Sequence, residues 1–180
     1  MRRLVWLTAL VLALAAPAMA FAVVGSGQDD GTLSVKAGVG KVYLKFNGSA
    51  VGRVQRGSIR VTDYVAGDGF GFEFLNCDIE RDRSDTTTNK NDTIKVCKGD
   101  NIRFRAIGGK YEIAIGGMTS FSPGKGIYLS AVGNGFAILN GAGDDPSVVG
   151  SDGTYSLNDR PYKSLPDFAT TFTLAAPPGQ

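Results

Sequence analysis

Between residues 31 and 174 apolar and polar side chains alternate in short runs bounded by glycine. Val42, Leu44 and Phe46 recur with period two, as do Ile59 and Val61, then Ile102, Phe104 and Ala106. Tyr111, Ile113 and Ile115 follow the same rule, and so do Ile127, Leu129 and Ala131. Period two puts each set on one face of an extended strand. No segment beyond residue 20 sustains the 3.6-residue period of a helix. With 25 glycines among 180 residues as punctuation, the pattern predicts an all-β domain. The expected architecture is a single antiparallel β-sandwich or flattened β-barrel built from hairpins, of about nine to eleven strands.

The turn residues predict three hairpins. Gly108-Gly109 permits the positive φ of a tight turn, joining 101–107 to 110–115. That register faces Phe104 with Ile113, Ile102 with Ile115 and Ala106 with Tyr111, and on the other face Arg105 with Glu112. A turn at Asn134-Gly135 puts Ile127, Leu129, Ala131, Phe136 and Ile138 on one face, with Tyr128, Ser130, Val132, Ala137 and Leu139 on the other. A turn at Asn47-Gly48 brings Val42, Leu44, Phe46 and Val51 inward, but drags Arg53 to the same face. Ser58 to Asp63 follows as a strand with Ile59 and Val61 inward. Short strands at Thr154 to Leu157 and Thr170 to Leu174 close the domain.

The first 20 residues belong to a different pattern. Arg2 and Arg3 precede a mostly apolar run over 4–16, and Ala18-Met19-Ala20 offers a small-residue cleavage site. This reads as a secretory signal peptide cleaved near Ala20, too short for a membrane helix, and no later stretch is a transmembrane candidate. The domain plan is therefore 1–20 signal peptide, 21–30 flexible N-terminal segment, 31–174 all-β domain and 175–180 disordered tail. Losing Arg2 and Arg3 reduces 19 Lys and Arg to 17, equal to the 17 Asp and Glu. A neutral, mixed surface carries no footprint for nucleic acid. In an oxidising compartment, the only two cysteines, Cys77 and Cys97, read as a disulfide. It bounds a polar stretch, 78–96, expected as a mobile surface excursion.

Composition then narrows the chemistry. The chain has no histidine, which removes imidazole bases, Ser-His-Asp triads and histidine-ligated metals. Oxidised cysteines remove thiolate nucleophiles and zinc sites. Carboxylate-dependent glycoside hydrolysis survives as a route, but Glu73, Glu80 and Glu112 are the only glutamates. Asp78, Glu80, Asp82 and Asp85 alternate with Arg81 and Arg83 and read as solvated charges. Ser122-Pro123-Gly124-Lys125 has a Ser-x-x-Lys spacing, but Pro-Gly makes a turn where that chemistry needs a helix. Asp144, Asp145 and Asp152 are weak calcium candidates without EF-hand spacing, so no metal and no cofactor is assigned. Tyr128, Tyr155 and Tyr162 are candidate ligand-facing aromatics for stacking on sugar rings.

Arg103-Phe104-Arg105, Gly108-Gly109-Lys110-Tyr111, the run 126–135, Asp152-Gly153-Thr154-Tyr155-Ser156 and Leu165-Pro166 occur in that order. In this the chain resembles a group of secreted, glycine-rich, all-β hypothetical proteins of actinobacteria. The resemblance implies a bacterial, exported domain and transfers no activity or catalytic residue. The combined expectation is an exported, non-catalytic structural or interaction module rather than an enzyme. A module binding cell-envelope glycan or protein is the alternative, and a carboxylate-dependent glycoside hydrolase the second.

Overall fold

A computed structural model describes residues 29–65, 71–84, 92–116, 124–142 and 152–176. They form eight strands and no helix: β1 (Gly31–Asp63), β2 (Gly71–Asn76), β3 (Ile79–Ser84), β4 (Thr93–Ile115), β5 (Gly124–Gly141), β6 (Thr154–Leu157), β7 (Lys163–Ser164) and β8 (Thr170–Leu174). Pairing is antiparallel throughout, in the order β2-β4-β1-β5-β8. β3 also pairs with β4, and β6 joins β1 to β7. The expected leader and its cleavage site lie outside the described residues.

The all-β architecture is as expected, but the three hairpins are not formed. β1, β4 and β5 run for 33, 23 and 18 residues. They pass straight through Asn47-Gly48, Gly108-Gly109 and Asn134-Gly135. Eight strands, three of them long, stand where nine to eleven short ones were predicted. The glycines bend the sheet instead of reversing the chain. Residues 42–48 of β1 lie between 109–115 of β4 and 133–139 of β5, while 50–56 lie between 100–106 and 125–131. Residues 59–63 of β1 pair with both ends of β4, 93–97 and 111–115. Both ends can flank one segment only if the sheet doubles over on itself. Such doubling, with strands crossing between layers at bends, is how orthogonal sandwiches turn their corners.

The crease follows a row of glycines in register, Gly109 beside Gly48, Gly48 beside Gly133, and Gly133 beside Gly31. A Cβ on Gly48 would sit 2.1 Å from the Val132 carbonyl oxygen, and one on Gly133 2.2 Å from that of Asn47. The backbones approach too closely here for any side chain. At the β4 bend a bulge places Ile107 and Gly108 opposite Ser49, with Gly108 at φ 60° and its N–H donating to Ser49 Oγ at 2.9 Å. This is the geometry that asks for glycine.

Both halves of the folded sheet bury their inner faces in one core. Along β4 the buried side chains are Ile102, Phe104 and Ala106, then Tyr111, Ile113 and Ile115. The bulge changes the alternation by one residue, as the expected turn would have done, so the predicted inner face is correct. Along β5 no bulge intervenes, and Ala137 and Leu139 are buried in line with Ile127, Leu129 and Ala131. Phe136 and Ile138 therefore face outward, the reverse of the hairpin expectation. In β1, Ala50 and Val54 are buried and Arg53 is exposed, which also removes the predicted inward Val51 and Arg53. The Tyr111 hydroxyl donates to the Ile107 carbonyl at 2.9 Å, satisfying the bulge from inside the core. Phe104 covers Gly52, where a Cβ would lie 2.5 Å from its ring, and its ring stacks on Phe72 at 5.8 Å.

The Cys77 and Cys97 sulfurs lie at bonding distance, 2.04 Å, with Cα atoms 5.8 Å apart. The polar stretch they bound is not simply an excursion: β3 pairs with 93–98 of β4, and Glu80 lies 3.7 Å from Lys95. Residues 85–91 lie outside the described residues. Arg105 pairs with Glu73 rather than with Glu112, because β2 and not a returning β4 lies beside it. At the two ends of the described domain the Ala176 N–H donates to the Asp29 carbonyl at 2.9 Å.

Candidate binding face

Alternation assigns the outward positions of the half-sheet formed by β2, the first half of β4, 50–56 of β1, the first half of β5, the start of β1 and β6. Cross-strand pairing then sets these positions in rows. One row runs from Arg103 to Arg53 to Tyr128. It continues to the irregularity at Lys36 and Ala37, which falls between the Val35–Leu129 and Gly38–Ile127 pairs and so lies opposite Tyr128, with Lys36 exposed. Four strand positions at about 4.8 Å spacing give a row roughly 15 Å long. The next row holds the Arg105–Glu73 ion pair, Val51, Ser130 and Ser34. The two rows carry hydroxyls, guanidinium groups, a carboxylate and one aliphatic side chain, Val51, with Ile107 exposed at the next outward position of β4.

Two of the three candidate tyrosines belong to this face. Tyr128 is 40% exposed and Tyr162 43% exposed. Lys36 Nζ lies 4.1 Å from the centre of the Tyr162 ring, a cation–π contact. Hydrogen bonding to Ser34, then to Lys36, holds the Tyr162 phenol below its ordinary pKa. Tyr155 is not on this face. Its ring packs 5.0 Å from that of Phe172, against the core, where β6 and β8 approach each other.

Arg53 and Arg103 are directly opposite in the ladder. Both are exposed, and among the described residues neither has an acidic partner. Their neighbours are treated differently, Arg105 being paired with Glu73 and Arg56 with Asp100 at 2.8 Å. Like charges opposite each other weaken a strand pair. Sequence reasoning did not find this feature, although the misfit of Arg53 on an apolar face was its trace.

The outward face of the other half-sheet holds a second polar cluster. Glu112 lies in register with both Lys45 and Thr62. The Tyr64 hydroxyl donates to its carboxylate at 2.5 Å. This bond, burial and the Glu112 charge push the Tyr64 phenol up to about 12. Tyr43 is raised as well, first by burial and then by the same carboxylate, and Lys45 lies 5.4 Å from the Tyr64 ring. The three glutamates do not form a pair across a cleft: Glu73 and Glu112 occupy opposite outer faces, and Glu80 faces Lys95.

Of the calcium candidates, Asp144 and Asp145 lie outside the described residues. Asp152 is buried at the end of β5, its carbonyl accepting from the Val39 N–H at 2.8 Å. Among the described residues no three His, Cys, Asp or Glu side chains converge on one point. Ser122 and Pro123 also lie outside them, and Gly124 and Lys125 begin β5. No helix among the described residues is long and apolar enough to cross a membrane. Comparison with known proteins returns no match to any family model, curated protein or solved structure.

Proposed function

We propose that the protein is an exported, non-catalytic module that binds a glycan of the cell envelope through the face carrying Tyr128 and Tyr162. The observation behind this reading is the exposure of both rings beside the hydroxyl- and arginine-bearing rows of one sheet face. A tyrosine ring gives sugar rings an apolar surface, and its hydroxyl reaches their polar edge. An exposed row of side chains roughly 15 Å long suits an extended polymer better than a small molecule, which needs a concave pocket. Export is supported by the N-terminal pattern around Arg2, Arg3 and Ala20 and by the cysteine pair. The absence of histidine and the dispersal of the three glutamates support a binding role over hydrolysis.

The test is a glycan array probed with the purified protein, followed by titration of the best ligand. Tyr128→Ala and Tyr162→Ala should each weaken binding by about two- to ten-fold, the range of a lost aromatic contact. Tyr155→Phe, in the core edge, should leave affinity unchanged. Release of new reducing ends from a bound glycan would overturn the non-catalytic reading.

A further inference from the structure

We infer that the polymer bound on this face is acidic, its anions taken by Arg53, Arg103 and Lys36 while its sugar rings lie on Tyr128 and Tyr162. The inference rests on the glycan-binding reading and adds the chemical class of the ligand.

The like-charged pair is its starting point. Acids neutralise Arg105 and Arg56 on either side, yet Arg53 and Arg103 are opposed directly with none between them among the described residues. A fold that sets two guanidinium groups side by side without an acid gives up some stability, and such local violations gather at functional sites. An anion seated between them removes the repulsion. Guanidinium forks match carboxylate and phosphate oxygens two at a time.

The order along the row then selects the polymer. It reads two cations, a ring, then a cation carrying a ring: Arg103, Arg53, Tyr128, Lys36 beneath Tyr162. An acidic polysaccharide presents the complementary alternation of charged substituents and ring faces. Nucleic acid fits less well. The chain's formal charge is only +2 with the two leader arginines included, far from the broad basic surface that duplex or single-stranded polymers require. A membrane surface would need an apolar face to insert, and the outward side chains here are mostly hydroxyl and guanidinium.

The test titrates the purified protein with polygalacturonate, a phosphomannan, neutral dextran and a single-stranded DNA oligonucleotide, at low and at physiological salt. We expect one or both acidic polymers to bind, dextran not to bind, and affinity to fall with added salt. R53Q/R103Q should weaken acidic-polymer binding at least about ten-fold. Its thermal midpoint should equal or exceed that of the wild type, because a repulsion has been removed. Preference between the first two polymers tells carboxylate from phosphate as the recognised anion. Dextran binding as tightly, with R53Q/R103Q unaffected, would overturn the acidic ligand and leave the glycan reading standing. No binding to any polysaccharide would overturn both. DNA binding as tight as that of the acidic polymers would replace the glycan with a general polyanion surface. A lower thermal midpoint for R53Q/R103Q would show that the opposed arginines stabilise the fold, and the inference would lose its basis.

Discussion

Gly48→Ala tests whether the glycine row is a crease. The added methyl carbon would lie 2.1 Å from the Val132 carbonyl oxygen and 2.7 Å from the Gly133 Cα. Both neighbours are backbone in the β1–β5 ladder, so relief requires moving a strand by about 1 Å rather than turning a rotamer. Overpacking of this kind costs about 1–3 kcal/mol where neighbours can yield, and here the upper end applies because they cannot. Gly71→Ala is the control, since nothing lies within 4 Å of a Cβ there. That change should be neutral or stabilise by up to about 1 kcal/mol, through reduced freedom of the unfolded chain. Urea unfolding of both variants should therefore separate them by about 3–4 kcal/mol, a large share of the ~5–15 kcal/mol typical of a whole domain. The m-value should not change, so that the shift in midpoint reports stability alone. Equal midpoints would refute the close approach of β1 and β5 at Gly48, and with it the folded-over sheet.

Continuity of β5 through Asn134-Gly135 makes Ala137 an inner residue and Ile138 an outer one. Ala137→Asp should therefore abolish folding by burying an unpaired charge, while Ile138→Thr costs less than about 1 kcal/mol; a hairpin would reverse that order, as read by circular dichroism and urea midpoints. At alkaline pH, one tyrosine should titrate near 12, two units above its ordinary 10.0, in an ultraviolet titration of phenolate. The folded state favours the neutral phenol, so its contribution to stability is complete below pH 10.0 and is lost as pH rises to about 12. Tyr64→Phe should remove that titration and flatten the stability curve across the same window. Mass spectrometry of the unreduced protein should show two fewer hydrogens than the dithiol form, and Cys97→Ser should lower stability by about 2–5 kcal/mol.

Much of the inner surface was legible from alternation alone. Phe104, Ile113, Ile102, Ile115, Ile59 and Val61 were all placed inside, and all are buried. The strands at Thr154–Leu157 and Thr170–Leu174 were found with their observed limits. These readings depend on local pattern and not on which strand comes next. Of the candidate face, Tyr128 and Tyr162 were legible as aromatics with a polar tip, whereas Tyr155 turned inward because Phe172 of β8 offered it a ring to pack on. The arginine pair was not legible, because opposition of Arg53 and Arg103 exists only once β1 and β4 are in register.

The missed topology has one physical source. A two-residue turn and a one-residue bulge both advance the side-chain alternation by one, so apolar residues on either side of Gly108-Gly109 are consistent with each. Only the partners distinguish them: a turn pairs a strand with its own continuation, and a bulge leaves it paired with another strand. At Asn134-Gly135 the alternation does distinguish them. Ala131, Gly133, Gly135, Ala137 and Leu139 keep a single odd phase, which a two-residue turn would have broken. That unbroken phase marks the glycines as a bend in a continuous strand. The same logic accounts for Arg53. The hairpin placed it with the core, and a burial cost of that size for an unpaired guanidinium is reason enough to reject the turn. Carrying β1 straight through Gly48 shifts Arg53 to the outer face, where it meets Arg103 and Tyr128. The charge that made the hairpin implausible is the one that gives the outer face its chemistry.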